Sequence, residues 1–462
     1  MTSVPAPTGH GWRTRFMMGV VLGLWLIVTA RLVHLQMIQA DKLSAVAHQQ
    51  HQFEVEIPAR PADLVDRNGK LLATTIVAHS LFVDPSRLEV DAAFVESLAE
   101  HLDLEADRLK ARLADAAGKR FLWIKRRLES DEMDRVAELE WPVGSYGFRE
   151  EFLRQYPQGR LAAHVLGLRD IDGIGRGGVE QSLDHLVQGE PGRRRLVRDA
   201  MGRIVEINFD PKNEPRRFDA VRLTIDLAVQ TFTEKALDGV VRKWQPKAAS
   251  AIVIDPISGE ILAMASRPTY SPNDLSNVPA DAWKNQAINI VYEPGSTFKP
   301  FIVAWGLQQD AIKRDDVFDC EMGTYRMGPR ELRDHHSYSK LSVTDILVKS
   351  SNIGMAKIGE RLTNEKLYDA TLTFGFGRPT GIDLPGELSG LLQPLHKWNI
   401  YSTGSIPMGH ELAVTPLQLI TAHSALANGG RLITPRILKG VQGRGHDSAK
   451  TFQASLDEPG LA

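Results

Sequence analysis

The first forty residues constrain the architecture more than any other stretch. Phe16 to Ala30 reads FMMGVVLGLWLIVTA and carries no charge. Arg13 and Arg15 precede it, and the first acidic residue is Asp41. The apolar character resumes after Arg31 and ends at Ile38. A helix needs about 20 apolar residues to cross a bilayer core, and an arginine near one end reaches back to the interface. An uncleaved membrane anchor over residues 16–38 is therefore expected. Val28-Thr29-Ala30 has the small-residue form of a cleavage site, so a removed signal peptide is the rival reading. The apolar continuation past Ala30 argues against it. Arginines ahead of the span put a tail of residues 1–15 in the cytoplasm and everything after Ile38 outside it.

At 462 residues the chain has room for two or three domains. A formal net charge of −2 gives no field for nucleic acid. Cys320 is the only cysteine, which excludes an internal disulfide and any multi-cysteine metal site. His335-His336 lacks a third ligand at metal spacing and reads as a solvent-facing pair. No metal and no cofactor is expected.

Residues 39–217 read as a pedestal. Ala40 to Val55 is polar and helix-prone. Asp66-Arg67-Asn68-Gly69-Lys70, between Leu64-Val65 and Leu71-Leu72-Ala73, predicts a hairpin. Residues 90–140 read as successive helices. Gly173-x-Gly175-x-x-Gly178 fits a dinucleotide fingerprint in form only, because no apolar strand precedes it. A turn before a helix from Val179 to Val187 is the better reading. Arg193-Arg194-Arg195 with Arg198 is expected on a solvated strand edge, with binding of anionic glycan or a partner as the alternative. Residues 210–217 have linker composition.

Residues 218–462 read as the chemical domain. Strands are expected over 219–225, 250–255 (buried) and 260–266, and a helix over 226–241 with Leu227, Phe232, Ala236, Leu237 and Val240 on its apolar face. Further helices are expected over 343–362, broken at Ser350 to Asn352, and over 415–426. The stretch that carries chemistry is Glu293-Pro294-Gly295-Ser296-Thr297-Phe298-Lys299-Pro300. A helix from Thr297 onward would put Ser296 and Lys299 one turn apart on one face, within hydrogen-bond reach. A serine hydroxyl needs an adjacent base, and a lysine serves as one only when burial or charge lowers its pKa. A helix start also offers free backbone N–H groups to an oxyanion. Alone, Ser-x-x-Lys is more often a solvated helix start. The Pro-Gly-Ser-Thr-Phe-Lys-Pro context and the Ser350-Ser351-Asn352 that follows raise it above that reading.

Ser-x-x-Lys followed by Ser-x-Asn resembles the site of penicillin-binding proteins and class A β-lactamases. The likeness to class B penicillin-binding proteins, and to their septal D,D-transpeptidase branch, runs along the whole chain. It includes Asp66-Arg67-Asn68-Gly69, Gly177-Gly178-Val179-Glu180, Gly189-Glu190-Pro191-Gly192, Asp199-Ala200-Met201-Gly202, Ile254-Asp255-Pro256 and Thr415-Pro416-Leu417-Gln418. The resemblance implies an α/β (α+β) fold: a single N-terminal transmembrane helix, an elongated pedestal, and a transpeptidase domain with a central antiparallel sheet flanked by helices. It implies Ser296 as acylated nucleophile and Lys299 as its base. Ser350 would relay a proton to the leaving D-alanine, and Asn352 would bind the donor peptide's amide. Stem peptides ending in D-Ala-D-Ala would be the substrate and β-lactams the inhibitors. A polytopic glycosyltransferase and other division proteins would be partners, at the bacterial inner membrane.

The family's third motif, Lys-Thr-Gly, is absent. Lys450-Thr451-Phe452 lacks the glycine, and Ser402-Thr403-Gly404 comes before the 415–426 helix, in the wrong order. The expectation is a truncated transpeptidase domain whose 250–255 strand lacks neighbours, and weak or no activity. A non-catalytic, membrane-anchored division scaffold with a degenerate head is the alternative. A β-lactamase or β-lactam sensor fits less well, since no glutamate is convincingly placed to activate a deacylating water.

Overall fold

The computed structural model describes residues 11–39, 52–88, 91–198, 204–208, 213–443 and 450–451. The chain divides into two compact units, residues 1–59 with 190–216 and residues 60–189 with 217–462. Asp199 to Gly202 and most of the 40–55 stretch lie outside the described residues.

In the first unit, Gly11–Val33 is an α-helix that continues as a π-helical turn over His34–Ile38. Together they make one apolar rod, buried nowhere and long enough to cross a membrane. The unit also holds a three-stranded antiparallel sheet of Gln52–Ile57, Gly192–Arg198 and Ile204–Asn208. Residues 52–55, expected to be helical, are thus strand. The arginine run lies on the central strand of this sheet and not on an edge. Its register helps explain why the centre tolerates it: Glu56 stands opposite Arg193, and unlike charges facing each other across strands are favourable. Arg194 is held by Glu214, with 3.0 Å from Nη2 to Oε1.

The second unit is built on a seven-stranded sheet. Its order is Lys450–Thr451, Leu438–Gly443, Phe218–Leu223, Asp63–Val65, Leu71–Val83 and Leu122–Leu128, with Tyr146–Gln155 also paired to Leu71–Val83. The expected hairpin joins Asp63–Val65 to Leu71–Val83, with Asp66 Oδ1 accepting from the Asn68 and Lys70 amides. Phe218–Leu223 runs parallel to Asp63–Val65, so one sheet passes through both the pedestal and the chemical segment. The 90–140 stretch is helical at Ala92–His101, Ala106–Asp115 and Ser130–Ala137, but Leu122–Leu128 is a strand. Its charged residues misled the helical reading. Lys125 pairs with Glu132 and Arg126 with Glu151 and Asp172, so the charges are neutralised in place.

Gly175 and Gly178 lie at a tight crossing. A Cβ on Gly175 would stand 1.9 Å from the Glu180 carbonyl oxygen, and one on Gly178 would stand 2.4 Å from the Gly167 nitrogen. The glycines serve close backbone packing ahead of the short helices Gly178–Ser182 and Asp184–Val187. They leave Glu180 fully buried, where Oε1 accepts from Arg154 Nε and Oε2 from Arg169 Nε, both at 2.7 Å.

Leu227–Trp244 forms the expected helix, capped by Asp226, but its buried face differs from the expectation. Gln230, Glu234 and Leu237 face inward, while Phe232 is 71% and Trp244 69% exposed. The polar residues point in because they are answered there. Gln230 exchanges hydrogen bonds with the Met264 backbone, and Glu234 pairs with Arg267. Ala249–Ile254 and Ile261–Arg267 form an antiparallel pair. Among the described residues Ala249–Ile254 has no second neighbouring strand, and it is half-buried along its length instead of buried.

Candidate active site

Pro294 and Gly295 open the turn that carries Ser296, and Gly295 adopts φ +58°. Gly295–Phe298 is a single 3-10 turn, and the α-helix begins at Lys299 with Pro300 in its first turn, where a missing N–H costs nothing. The helix thus starts two residues later than expected. In a 3-10 turn residues i and i+3 eclipse, so Ser296 and Lys299 still share an edge. Phe298 and Phe301 anchor the turn in the core, both packed on Phe376 at ring distances of 5.1 and 5.4 Å. Ser296 is exposed, whereas Lys299 is 2% exposed.

A second segment clamps the turn from outside. Gly409, at φ +78°, accepts from the Gly295 amide at 3.1 Å. A Cβ there would stand 2.2 Å from the Gly295 carbonyl oxygen. Glu293 accepts from the Glu411 amide and pairs with His410 Nδ1, each at 3.0 Å.

Ser350 and Asn352 come from the break between the helices Val343–Lys349 and Asn352–Thr373, where the sequence places them. Ser350 is in the left-handed region at φ +55°. Its hydroxyl donates to Ser296 Oγ at 3.0 Å. Lys299 Nζ donates to three neutral oxygens: the Ser350 carbonyl at 2.6 Å, Ser350 Oγ at 3.0 Å and Asn352 Oδ1 at 2.9 Å. All four expected residues are therefore brought together. The link from Lys299 to Ser296 runs through Ser350 and is not the direct hydrogen bond that the i, i+3 spacing implied. Burial pushes the Lys299 ammonium down to about 8, opposed by the negative charge of Asp334.

Asp334 is the residue that sequence reasoning missed. It follows the hairpin Thr324–Met327 and Arg330–Arg333, and its carboxylate accepts from Ser351 Oγ and from the Asn352 and Ile353 amides. No spacing in the sequence links it to Ser350. The neighbouring His335 and His336 drew attention instead; they are exposed and pack ring to ring at 4.7 Å. Ser402–Thr403–Gly404 lies in a helical turn, and Lys450–Thr451 pairs with Leu438–Gly443.

The penicillin-binding protein transpeptidase domain family matches residues 249–457, and the penicillin-binding protein dimerisation domain family matches residues 56–216. The chain is 34% identical over 433 residues to the probable peptidoglycan D,D-transpeptidase PenA of Neisseria meningitidis, covering 93% of this chain and 74% of that protein. It is 31% identical over 425 residues to the peptidoglycan D,D-transpeptidase FtsI of Escherichia coli, covering 91% and 71%. Among solved structures, penicillin-binding protein 3 of Mycobacterium tuberculosis complexed with aztreonam superposes with a TM-score of 0.63 at 26% identity, covering 88% of this chain and 71% of that one.

Proposed function

The chain belongs to the class B penicillin-binding proteins, and on that premise we propose that it cross-links peptidoglycan stem peptides through an acyl-enzyme on Ser296. The observation that carries this reading is the unbroken hydrogen-bonded row from Lys299 through Ser350 to Ser296.

With Lys299 charged, the row points from amine to nucleophile. With Lys299 neutral, the same heavy atoms serve the reverse direction: Ser296 donates to Ser350 Oγ, and Ser350 donates to Lys299 Nζ. The Ser296 proton leaves along this row as Oγ attacks the carbonyl carbon of the penultimate D-alanine. The peptide C–N bond breaks, and the proton returns along the row to the departing D-alanine amine. An amine of a second stem peptide then attacks the ester carbon. Its proton goes back through Ser350, the C–O bond to Ser296 breaks, and the hydroxyl is restored. Asn352 has one amide N–H on the Arg333 carbonyl at 3.1 Å, which leaves the other for the donor peptide's backbone. A β-lactam enters the first half of this cycle, its strained amide taking the place of the scissile bond.

The apolar helix anchors the protein in the bacterial inner membrane with its N-terminus in the cytoplasm, and the site acts outside. The similarity to FtsI supports a place at the division septum beside a glycosyltransferase and other division proteins. The test is labelling with a fluorescent penicillin followed by mass spectrometry. A covalent adduct on Ser296 that disappears in Ser296→Ala is the expected result. A folded protein that takes no label overturns the acyl-enzyme and leaves the scaffold reading.

A further inference from the structure

The Ser350–Asn352 break is held by a carboxylate that the relay itself does not use. Ser350 occupies a backbone conformation unfavourable for a residue with a side chain, so its surroundings must impose it. The helix that follows begins with three amides needing acceptors. Asp334 Oδ1 takes two, Asn352 N at 2.5 Å and Ile353 N at 3.0 Å. Ser351 Oγ takes the third, Gly354 N at 2.9 Å, while donating to Asp334 Oδ2 at 2.6 Å. Asp334 is tied in turn by its own amide to the Gly323 carbonyl at 3.2 Å. A carboxylate at the positive end of the helix that starts at Asn352 is also favoured electrostatically.

The same carboxylate acts on the base. Among the described residues Lys299 has no carboxylate within ion-pair distance, and Asp334 is the charged side chain that acts on it. The path is short: Lys299 Nζ to Asn352 Oδ1, and the Asn352 amide to Asp334 Oδ1. The other titratable group facing Asp334 is the buried Cys320 thiol, which burial and Asp334 both push up. Lys357 and Asp319 act on that thiol in opposite directions, and Lys357 is engaged by Glu321 at 2.7 Å.

We propose that Asp334 is a positioning residue of this site, fixing the Ser350–Asn352 turn and placing a negative charge one hydrogen-bonded residue away from Lys299. This rests on the acyl-transfer reading for its catalytic meaning but not for its electrostatics. Two substitutions separate the roles. Asp334→Asn keeps an oxygen for the two helix amides. Its NH2 can donate to Ser351 Oγ, whose own proton can turn to Cys320 Sγ at 3.6 Å. The turn therefore stays and the charge goes. Ser351→Ala removes one cap and keeps the charge.

The experiment follows the Lys299 amine of the full chain by 13C-lysine NMR against pH, with the signal assigned by its loss in Lys299→Arg. Penicillin acylation rates are measured across the same pH range. Asp334→Asn is expected to move the amine's midpoint, and the acid limb of acylation with it, about one pH unit lower. Ser351→Ala is expected to lower the plateau rate with no shift in midpoint. An Asp334→Asn midpoint that equals or exceeds the wild-type value overturns the proposal. If the midpoint moves but neither protein is acylated, the electrostatic role of Asp334 stands and the acyl-transfer reading is the part that fails.

Discussion

Two buried cationic clusters in the same compact unit are built on opposite rules. Around Glu180, the guanidinium groups of Arg154 and Arg169 each meet a carboxylate oxygen at 2.7 Å, and Arg169 reaches Asp184 at 2.6 Å. Around Lys299, the three acceptors are neutral oxygens. The first cluster is held by mutual pairing, because removing any member would strand the others in a low-dielectric interior. The second leaves its charge poorly compensated, so the ammonium can be given up near neutral pH. Pairing makes a buried charge a brace. Withholding the pair makes it a base.

The largest expected effect comes from cutting the poised cluster. Lys299→Met should slow penicillin acylation by about 10²–10⁴-fold, the usual weight of a positioned general base. It should cost no more than about 1 kcal/mol of stability in urea unfolding, since a poorly paired buried charge is removed with it. A large stability loss with intact labelling would reverse the roles assigned to the two clusters. Next, Glu180→Gln should do the opposite. Two buried arginines lose their shared counter-charge, and unfolding free energy should fall by about 3–5 kcal/mol. The pH at which residual folded protein is half-maximally acylated should not move.

Only the Lys299 side of this contrast was legible in the sequence. Ser296, Lys299, Ser350 and Asn352 announce themselves because each sits at a helix boundary, where Pro-Gly, Ser and Asn have strong local preferences. The helix start at Thr415, with its reciprocal Gln418 cap, is legible for the same reason. What escaped depends on partners distant in the chain. Asp334 gains its role from amides on another element. Leu122–Leu128 is a strand because Glu132, Glu151 and Asp172 absorb its charges. The buried face of Leu227–Trp244 is set by Met264 and Arg267, which outweighed the apolar stripe that the helical period picks out. Local propensity names the elements, and non-local pairing decides which polar groups may be buried.

The clamp on the Ser296 turn offers a smaller and more local break. Gly409→Ala places a methyl against the Gly295 carbonyl at a backbone angle that disfavours it. The expected cost is about 1–3 kcal/mol, split between folding and the geometry of Ser296. Acylation should drop while the Lys299 midpoint stays in place. A shifted midpoint would mean that the turn and the lysine environment are not separable as the contrast requires.

The finest test asks only what pH does to the unaltered protein. Burial holds the Lys299 ammonium down to about 8, and in the proposed mechanism the neutral amine is the active form. Acylation therefore rises with pH. From pH 7, where about one lysine in eleven is neutral, to pH 9, where about ten in eleven are, the rate should climb roughly tenfold and then level. A rate that is flat or falling between pH 7 and 9 would mean that Lys299 is not the proton acceptor, and that its neutral partners serve some other end.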